Sequence, residues 1–489
     1  MFLEYLSFSD TAKFALIAKN IVLGNGFTTD FSFWGNNLFS TYGVLPFFSC
    51  ILSIFFKFFG IGNFSIFLVS FTFFISTFIL IFLLTKKLTR NSLIAFLSSI
   101  VFLFNNDMIE YVKNGASENL FIFQILLGIY LILFKNRWTK IGAFLVIILI
   151  YFTRPQAFIY ILGIIFFYLL TILKIKKSLI YFGGVIIMCF LIDFFILSII
   201  NGKHFLYSIT ARGINATISH LPNFSVSDSL RGNIIFDIGF LSVFKKVLYN
   251  LYNFYKAIPE IMNPYLFGLF VIGLFAWGKD RLQNSFKISV IFMTLATFLV
   301  TALTIPFYRY LHPVVPLVYI VGVATLVDIF KDHKYKIIIS YFLILIFTVG
   351  QTLGIIFLDS RFKAKLVNKD KPPIYAVMSF KLKEITKPDD VIVTNLDTWG
   401  SWYGKRKTIW FPLEPSMIIP VEDKIDAIYL TNYLIDDENY YMGENWREIF
   451  NNPENQTILK DYKYVGEYEF KAEDNYEKEN GKAILLVRN

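Results

Sequence analysis

Four side chains in this chain of 489 residues could do chemistry together: two acids, Asp10 and Glu118, and two arginines, Arg154 and Arg309. A carboxylate near neutral pH can accept a proton from a hydroxyl. A guanidinium offers a planar fork of donors matched to a phosphate. Each residue also has a plainer explanation. Asp10 opens a short amphipathic stretch and Glu118 follows Gly115-Ala116-Ser117 at the start of an apolar run, so either could serve as a helix cap. Arg154 and Arg309 adjoin apolar runs, where long cationic side chains snorkel to the interface. The four matter as a set only if the chain brings them to one face of a membrane.

The elements that must position them are membrane helices. The chain is 56% apolar and 19% aromatic, with mean hydropathy +0.57, above the ~45–50% apolar share of soluble domains. Apolar stretches without period-2 alternation recur at 63–85, 91–105, 118–135, 140–153, 156–174, 178–200, 263–278, 286–305, 311–330 and 336–358. Helices of roughly 20 residues cross a hydrocarbon core about 30 Å thick, and lipid admits only helices or closed barrels. Ten spans are therefore expected, with 91–105 and 140–153 short enough to be tilted, re-entrant or covered by neighbours.

Lysine and arginine set the orientation. Alternate turns hold Lys86, Lys87, Arg90, Lys135, Arg137, Lys140, Lys174, Lys176, Lys177, Lys279, Arg281, Lys287, Lys331, Lys334 and Lys336, while the opposite short turns hold only Lys113, Arg154 and Arg309. The rich side reads as cytoplasmic. Residues 1–62, the loop 201–262 and a domain at 359–489 then face outward, with 63–358 forming the membrane domain. All four chemical residues fall in the outer layer. The net charge of +10 is a topology signal, since 359–489 holds 23 acids against 19 bases. It calls for no nucleic-acid partner. Two cysteines, Cys50 and Cys189, and four scattered histidines make a disulfide framework or metal site unexpected. Asp193 lies inside a span and is costly there unless paired or facing a polar cavity.

Short helices are expected at Asp10–Leu23, stopped by Gly24-Asn25-Gly26, and from Pro46 through Phe59, stopped by Gly60. Both suit interfacial helices on the outer leaflet. In 359–489 the pattern is α/β: strands at 390–395, 408–411, 427–431, 464–470 and 483–487, helices at 373–385 and 445–450. Trp399, Trp402, Tyr403, Lys405 and Arg406 could form a sugar platform or simply pack.

The order of these motifs resembles the C-type (GT-C) membrane glycosyltransferases, in particular family 39, the protein mannosyltransferase and lipid A aminoarabinose transferase branch. The resemblance rests on Asp10, Phe14, Ala18 and Asn20 with Gly24-Asn25-Gly26-Phe27; on Tyr42-Gly43-Val44-Leu45-Pro46 and Phe58-Phe59-Gly60; on Ser117-Glu118, Thr153-Arg154-Pro155 and Arg309-Tyr310-Leu311 with Pro313 and Pro316; and on Trp402-Tyr403-Gly404-Lys405-Arg406-Lys407 with Trp410-Phe411-Pro412. It implies an enzyme of a cell membrane that inverts configuration as it moves a hexosyl or pentosyl unit; the many Phe, Ile, Lys and Asn residues separately suggest an AT-rich, bacterial genome. The donor would be a polyprenyl-phosphate sugar, and the acceptor an extracytoplasmic lipid, glycan or protein. By analogy Asp10 is the general base, Arg154 and Arg309 stabilise the leaving phosphate, and Glu118 binds sugar or acceptor, with Lys113 and Tyr310 as further binding candidates. Ser9 and Thr11 flank Asp10 where the family often has a second acid, so a divalent metal is not expected. The family also carries a span before the Asp10 helix that this sequence does not contain, which leaves an inactive, amino-terminally shortened scaffold as one alternative. A transporter, or a lipid-linked glycan ligase or polymerase working from the 201–262 loop, is another.

Overall fold

The computed structural model describes residues 5–201, 240–358 and 372–489, apart from 7, 35–37, 40, 42–43, 277, 279, 438–439 and 475–476; at 189–190, 192–201, 349–358, 473–474 and 477–479 it describes the backbone alone. The side chains of Asp193 and Cys189, and residues 202–239 of the expected outer loop, lie outside the described residues.

Helices occupy all ten expected apolar stretches. Among the described residues, three are long and apolar enough to cross a membrane by themselves: Asn63–Thr89, Arg281–Leu303 and the stretch Tyr308–Ile329. A fourth crossing is possible if Ser92–Leu103 and Asn106–Lys113, bent by 53° at their break, count as one. Glu118–Ile132, Ala157–Ile172 and Pro264–Phe275 are apolar but shorter. Large apolar side chains such as Phe144, Leu145, Leu295 and Leu299 face outward on these helices, as lipid contact requires and water would penalise. The bend follows from sequence. Asn105 interrupts the apolar run, and its side chain caps the next helix by accepting from the Met108 N–H at 3.1 Å.

Small residues let these helices approach closely. A Cβ placed on Gly322 would lie 2.6 Å from the Leu266 carbonyl oxygen, which sets the contact between Pro264–Phe275 and Val315–Ile329. Gly115 has φ +62° and no room for a side chain against Ile66, so only glycine makes the turn that delivers Ser117 and Glu118.

The segment 201–262 contains a helix absent from the sequence reading, Phe240–Lys256. It is amphipathic, with Phe240, Leu241, Phe244 and Tyr252 exposed, while Lys246 and Asn250 turn inward to bond the Thr304 and Ala302 carbonyls at 2.8 Å.

The carboxy-terminal residues build a mixed sheet. In chain order its strands are β1 (Phe31–Ser32), β2 (Val391–Thr394), β3 (Lys407–Trp410), β4 (Ala427–Thr431), β5 (Tyr462–Asp474) and β6 (Glu477–Arg488). The spatial order is β1-β3-β2-β4-β6-β5, parallel from β1 to β4 and antiparallel beyond. Helices Ile374–Ile385, Asp397–Trp402 and Glu444–Asn451 accompany it. Strand β1 comes from the amino-terminal region: Phe31 pairs with Thr408 and Ser32 with Ile409. Phe31 and Leu16 lie in the same apolar core as Val393, Ile409 and Trp446. Two residues pairing with a strand some 370 positions later leave no periodic signal in sequence. The amino-terminal helix, Ser9–Val22 (α1), and the next, Pro46–Phe59 (α2), pack together, and the Trp402 ring stacks on Phe56 of α2 with centroids 6.2 Å apart.

Candidate active site

Helix α1 begins one residue before Asp10. Its N-cap is Phe8, and no side chain caps it. The capping role that the sequence offers Asp10 is therefore not used. The carboxylate instead reaches across nearly 300 residues to Arg309, with Oδ2 2.7 Å from Nη2. Both groups stay reachable by water, at 52% and 28% exposure for the Asp10 and Arg309 side chains.

Arg309 stands in a short turn, Tyr308–Tyr310, that precedes the helix Val315–Ile329. Pro306, Pro313 and Pro316 break regular helix around it. Its guanidinium carbon lies 5.3 Å from the Tyr310 ring centroid and 5.7 Å from that of Phe307. Arg154 comes to the same tyrosine, 5.8 Å from the centroid. Tyr310 is thus an aromatic spacer shared by two cations that would otherwise repel.

Arg154 is neutralised from the other direction. Its Nη1 is 2.6 Å from Glu118 Oε1 and donates to Ser117 Oγ at 3.1 Å. Here too the expected cap is absent: Ser117 precedes the helix without a side-chain cap bond, and Glu118 spends its charge on Arg154. Unlike the Asp10 pair this one is buried, with 4% and 11% of the Glu118 and Arg154 side chains exposed. Beyond the ion pair, Arg154 Nε and Arg309 Nε are buried without a hydrogen-bond partner among the described residues. Polar capacity buried and unspent is uncommon in folded proteins. Around a cationic pair it is what a polar ligand would satisfy.

Lys113, at the end of Asn106–Lys113, turns to Glu110 at 3.5 Å instead. Tyr111 in the same helix was not singled out in sequence. Its hydroxyl makes a short hydrogen bond with His312 Nδ1, and His312 Nε2 is 3.8 Å from Asp107 Oδ2. The spacing Arg309-x-x-His312 was visible, but a single buried histidine carries no signal without its partners.

The aromatic segment of the sheet unit is packing rather than platform. Trp399 is 4% and Tyr403 8% exposed, and Trp399 stacks on Tyr375 with centroids 4.5 Å apart. Arg406 bonds the Lys383 and Thr386 carbonyls. Among the described residues, no three His, Cys, Asp or Glu side chains converge as metal ligands.

No family model matches the chain, and no curated protein sequence does either. Solved structures do. ArnT from Cupriavidus metallidurans, in the apo state and again bound to undecaprenyl phosphate, superposes with TM-score 0.52 at 10% identity, covering 99% of this chain and 94% of that one. The archaeal oligosaccharyltransferase AglB from Archaeoglobus fulgidus, solved with an inhibitory peptide and a dolichol-phosphate, superposes with TM-score 0.51 at 10% identity over 96% of this chain and 70% of that one. The chain is a multi-pass membrane protein with the C-type (GT-C) fold that these glycosyltransferases share.

Proposed function

We propose that this protein is an inverting glycosyltransferase that takes a sugar from a polyprenyl-phosphate carrier and passes it to an acceptor on the outer side of the membrane. The observation that carries the reading is the meeting of Asp10 with Arg309 at 2.7 Å beside Arg154 and a shared Tyr310. An acid from the amino end and two arginines 155 positions apart have no packing reason to converge at the head of membrane helices.

In this reading the donor phosphate displaces Asp10 from Arg309 and bridges the two guanidiniums, which frees the carboxylate. The acceptor hydroxyl gives its proton to Asp10 while its oxygen bonds to the anomeric carbon. The bond from that carbon to the phosphate oxygen breaks on the opposite face, and its electron pair leaves with the polyprenyl phosphate. Arg154 and Arg309 meet the charge that grows there, the electrostatic contribution that usually dominates. Glu118 holds Arg154 in place and offers its spare oxygen to a sugar or acceptor hydroxyl. Lys113 lies one helix away as a further contact. No residue is assigned to a metal.

The accompanying layout has about ten spans within 63–358 and an outward-facing amino-terminal region, 201–262 loop and carboxy-terminal sheet unit, in a bacterial plasma membrane. The acceptor is a lipid, glycan or protein. Membranes containing the full chain, incubated with labelled polyprenyl-phosphate sugars, should transfer label, and Asp10→Asn should abolish transfer while the protein remains expressed and folded. Unchanged transfer in that variant removes Asp10 as base. Net solute movement across sealed vesicles, with no label transferred, would favour a transporter.

A further inference from the structure

The peptide that leads into α1 is gripped by the carboxy-terminal sheet unit. The Leu6 N–H donates to Tyr403 Oη at 2.8 Å, and the Leu6 carbonyl accepts from Tyr375 Oη at 2.9 Å and Trp399 Nε1 at 3.1 Å. Thr398 Oγ1 donates to the Ser9 carbonyl at 2.8 Å, one residue before Asp10. These bonds do more than satisfy a helix start, which could be left to water. They locate it relative to a sheet nearly 390 residues away.

Thr398 follows the strained residue Asp397, which is left-handed with φ 53° and 7% exposed. Its carboxylate accepts from the Thr398 N–H at 2.6 Å and from Tyr440 Oη at 3.3 Å. A non-glycine residue stays in that conformation only where its surroundings impose it, and such residues gather at functional sites. Nothing in the mechanism above uses Asp397.

We propose that Asp397 and Thr398 are positioning residues, which fix the Ser9 carbonyl and so set where Asp10 presents its carboxylate. The charged groups that bear on Asp397 are Asp10 and Lys13 of α1, with the Tyr440 hydroxyl on its other side. Arg309 lies beyond Asp10 as its ion-pair partner. The Asp10 charge opposes ionisation of Asp397. The kinetic part of this proposal rests on the glycosyl-transfer reading; the structural part does not.

The test uses the full chain in lipid nanodiscs, with Thr398→Val, the conservative Thr398→Ser, and Asp397→Asn. Two readouts are taken: amide hydrogen exchange over residues 8–14, and label transfer as a function of pH. Thr398→Val should speed exchange in the first turn of α1 about fivefold, the equivalent of one lost hydrogen bond. It should lower kcat about 10- to 100-fold, as expected for a misplaced base, with the KM for the donor unchanged. Thr398→Ser should restore both. Asp397→Asn, which tolerates the left-handed backbone and keeps an acceptor for the Thr398 N–H, should stay near wild type in both readouts. Wild-type exchange and rate in a folded Thr398→Val protein would overturn the proposal, as would failure of Thr398→Ser to do better than Thr398→Val. If the wild-type protein transfers no label while the exchange pattern follows expectation, the positioning contact stands and the transferase reading falls.

Discussion

Glu118 and Arg154 form a buried ion pair, and its energetics can be worked from the structure. At 2.6 Å and an effective dielectric near 20 the gross attraction is about 6 kcal/mol. Desolvation of two nearly buried groups costs several kcal/mol per ion and removes most of that gain. The pair therefore adds little net stability, but either partner left alone is a buried charge with nothing to offset it. Glu118→Gln and Arg154→Met should each cost about 3–5 kcal/mol, whereas the double variant should cost only ~1–2 kcal/mol. The double-mutant coupling would then be several kcal/mol, far above the ~0.5 kcal/mol scatter of independent sites. Reversible unfolding in mixed micelles measures the three variants against the parent. Additive losses, with the double variant worse than either single one, would refute the argument and mean that the two residues do not depend on one another in the folded protein.

The Asp10–Arg309 pair should behave in the opposite way: it is half-exposed, so Asp10→Asn should shift stability by no more than about 1 kcal/mol while transfer falls ~10²- to 10⁴-fold. A large loss of thermal stability in that variant would show Asp10 to be structural. Asp397 gives a pH dependence. Burial foremost, and the nearby Asp10 charge, push its pKa up to about 6 from 3.8, so the folded state binds this proton more tightly than the unfolded chain. The resulting stability is fully present below pH ~4 and is lost as pH rises through 6, amounting to about 3 kcal/mol. Thermal denaturation between pH 4 and 7.5 should show that loss, and Asp397→Asn should remove it; identical pH curves for the two proteins would rule it out. Gly322→Ala places a Cβ 2.6 Å from the Leu266 carbonyl, a backbone atom that cannot swing aside, and should destabilise by about 1–3 kcal/mol in the same micelle assay. No change there would mean the two helices are not held this close.

Sequence alone determined the parts of this protein that depend on local periodicity and solvent. Apolar runs without alternation had to be helices in lipid, and they are helices at every expected stretch. The turn glycines, the strand patterns at 391–394, 407–410 and 427–431, and the helix at 374–385 follow from composition within a few residues. Asp10, Glu118, Arg154 and Arg309 were legible as candidates because charge is rare in the first 358 residues, and rarity beside lipid is itself a physical signal. Tertiary structure alone decided what those charges do. Read locally, Asp10 and Glu118 looked like caps; only long-range contact shows each carboxylate spent on an arginine, one pair open to water and the other sealed. The inward-facing Lys246 and Asn250, the Tyr111–His312 contact and the two-residue strand at Phe31–Ser32 are likewise choices made by partners distant in the chain. A residue's neighbours along the chain set its helix or strand preference, but the free energy of a charge or an unpaired backbone group depends on whichever atom arrives beside it, and that is a property of the folded whole.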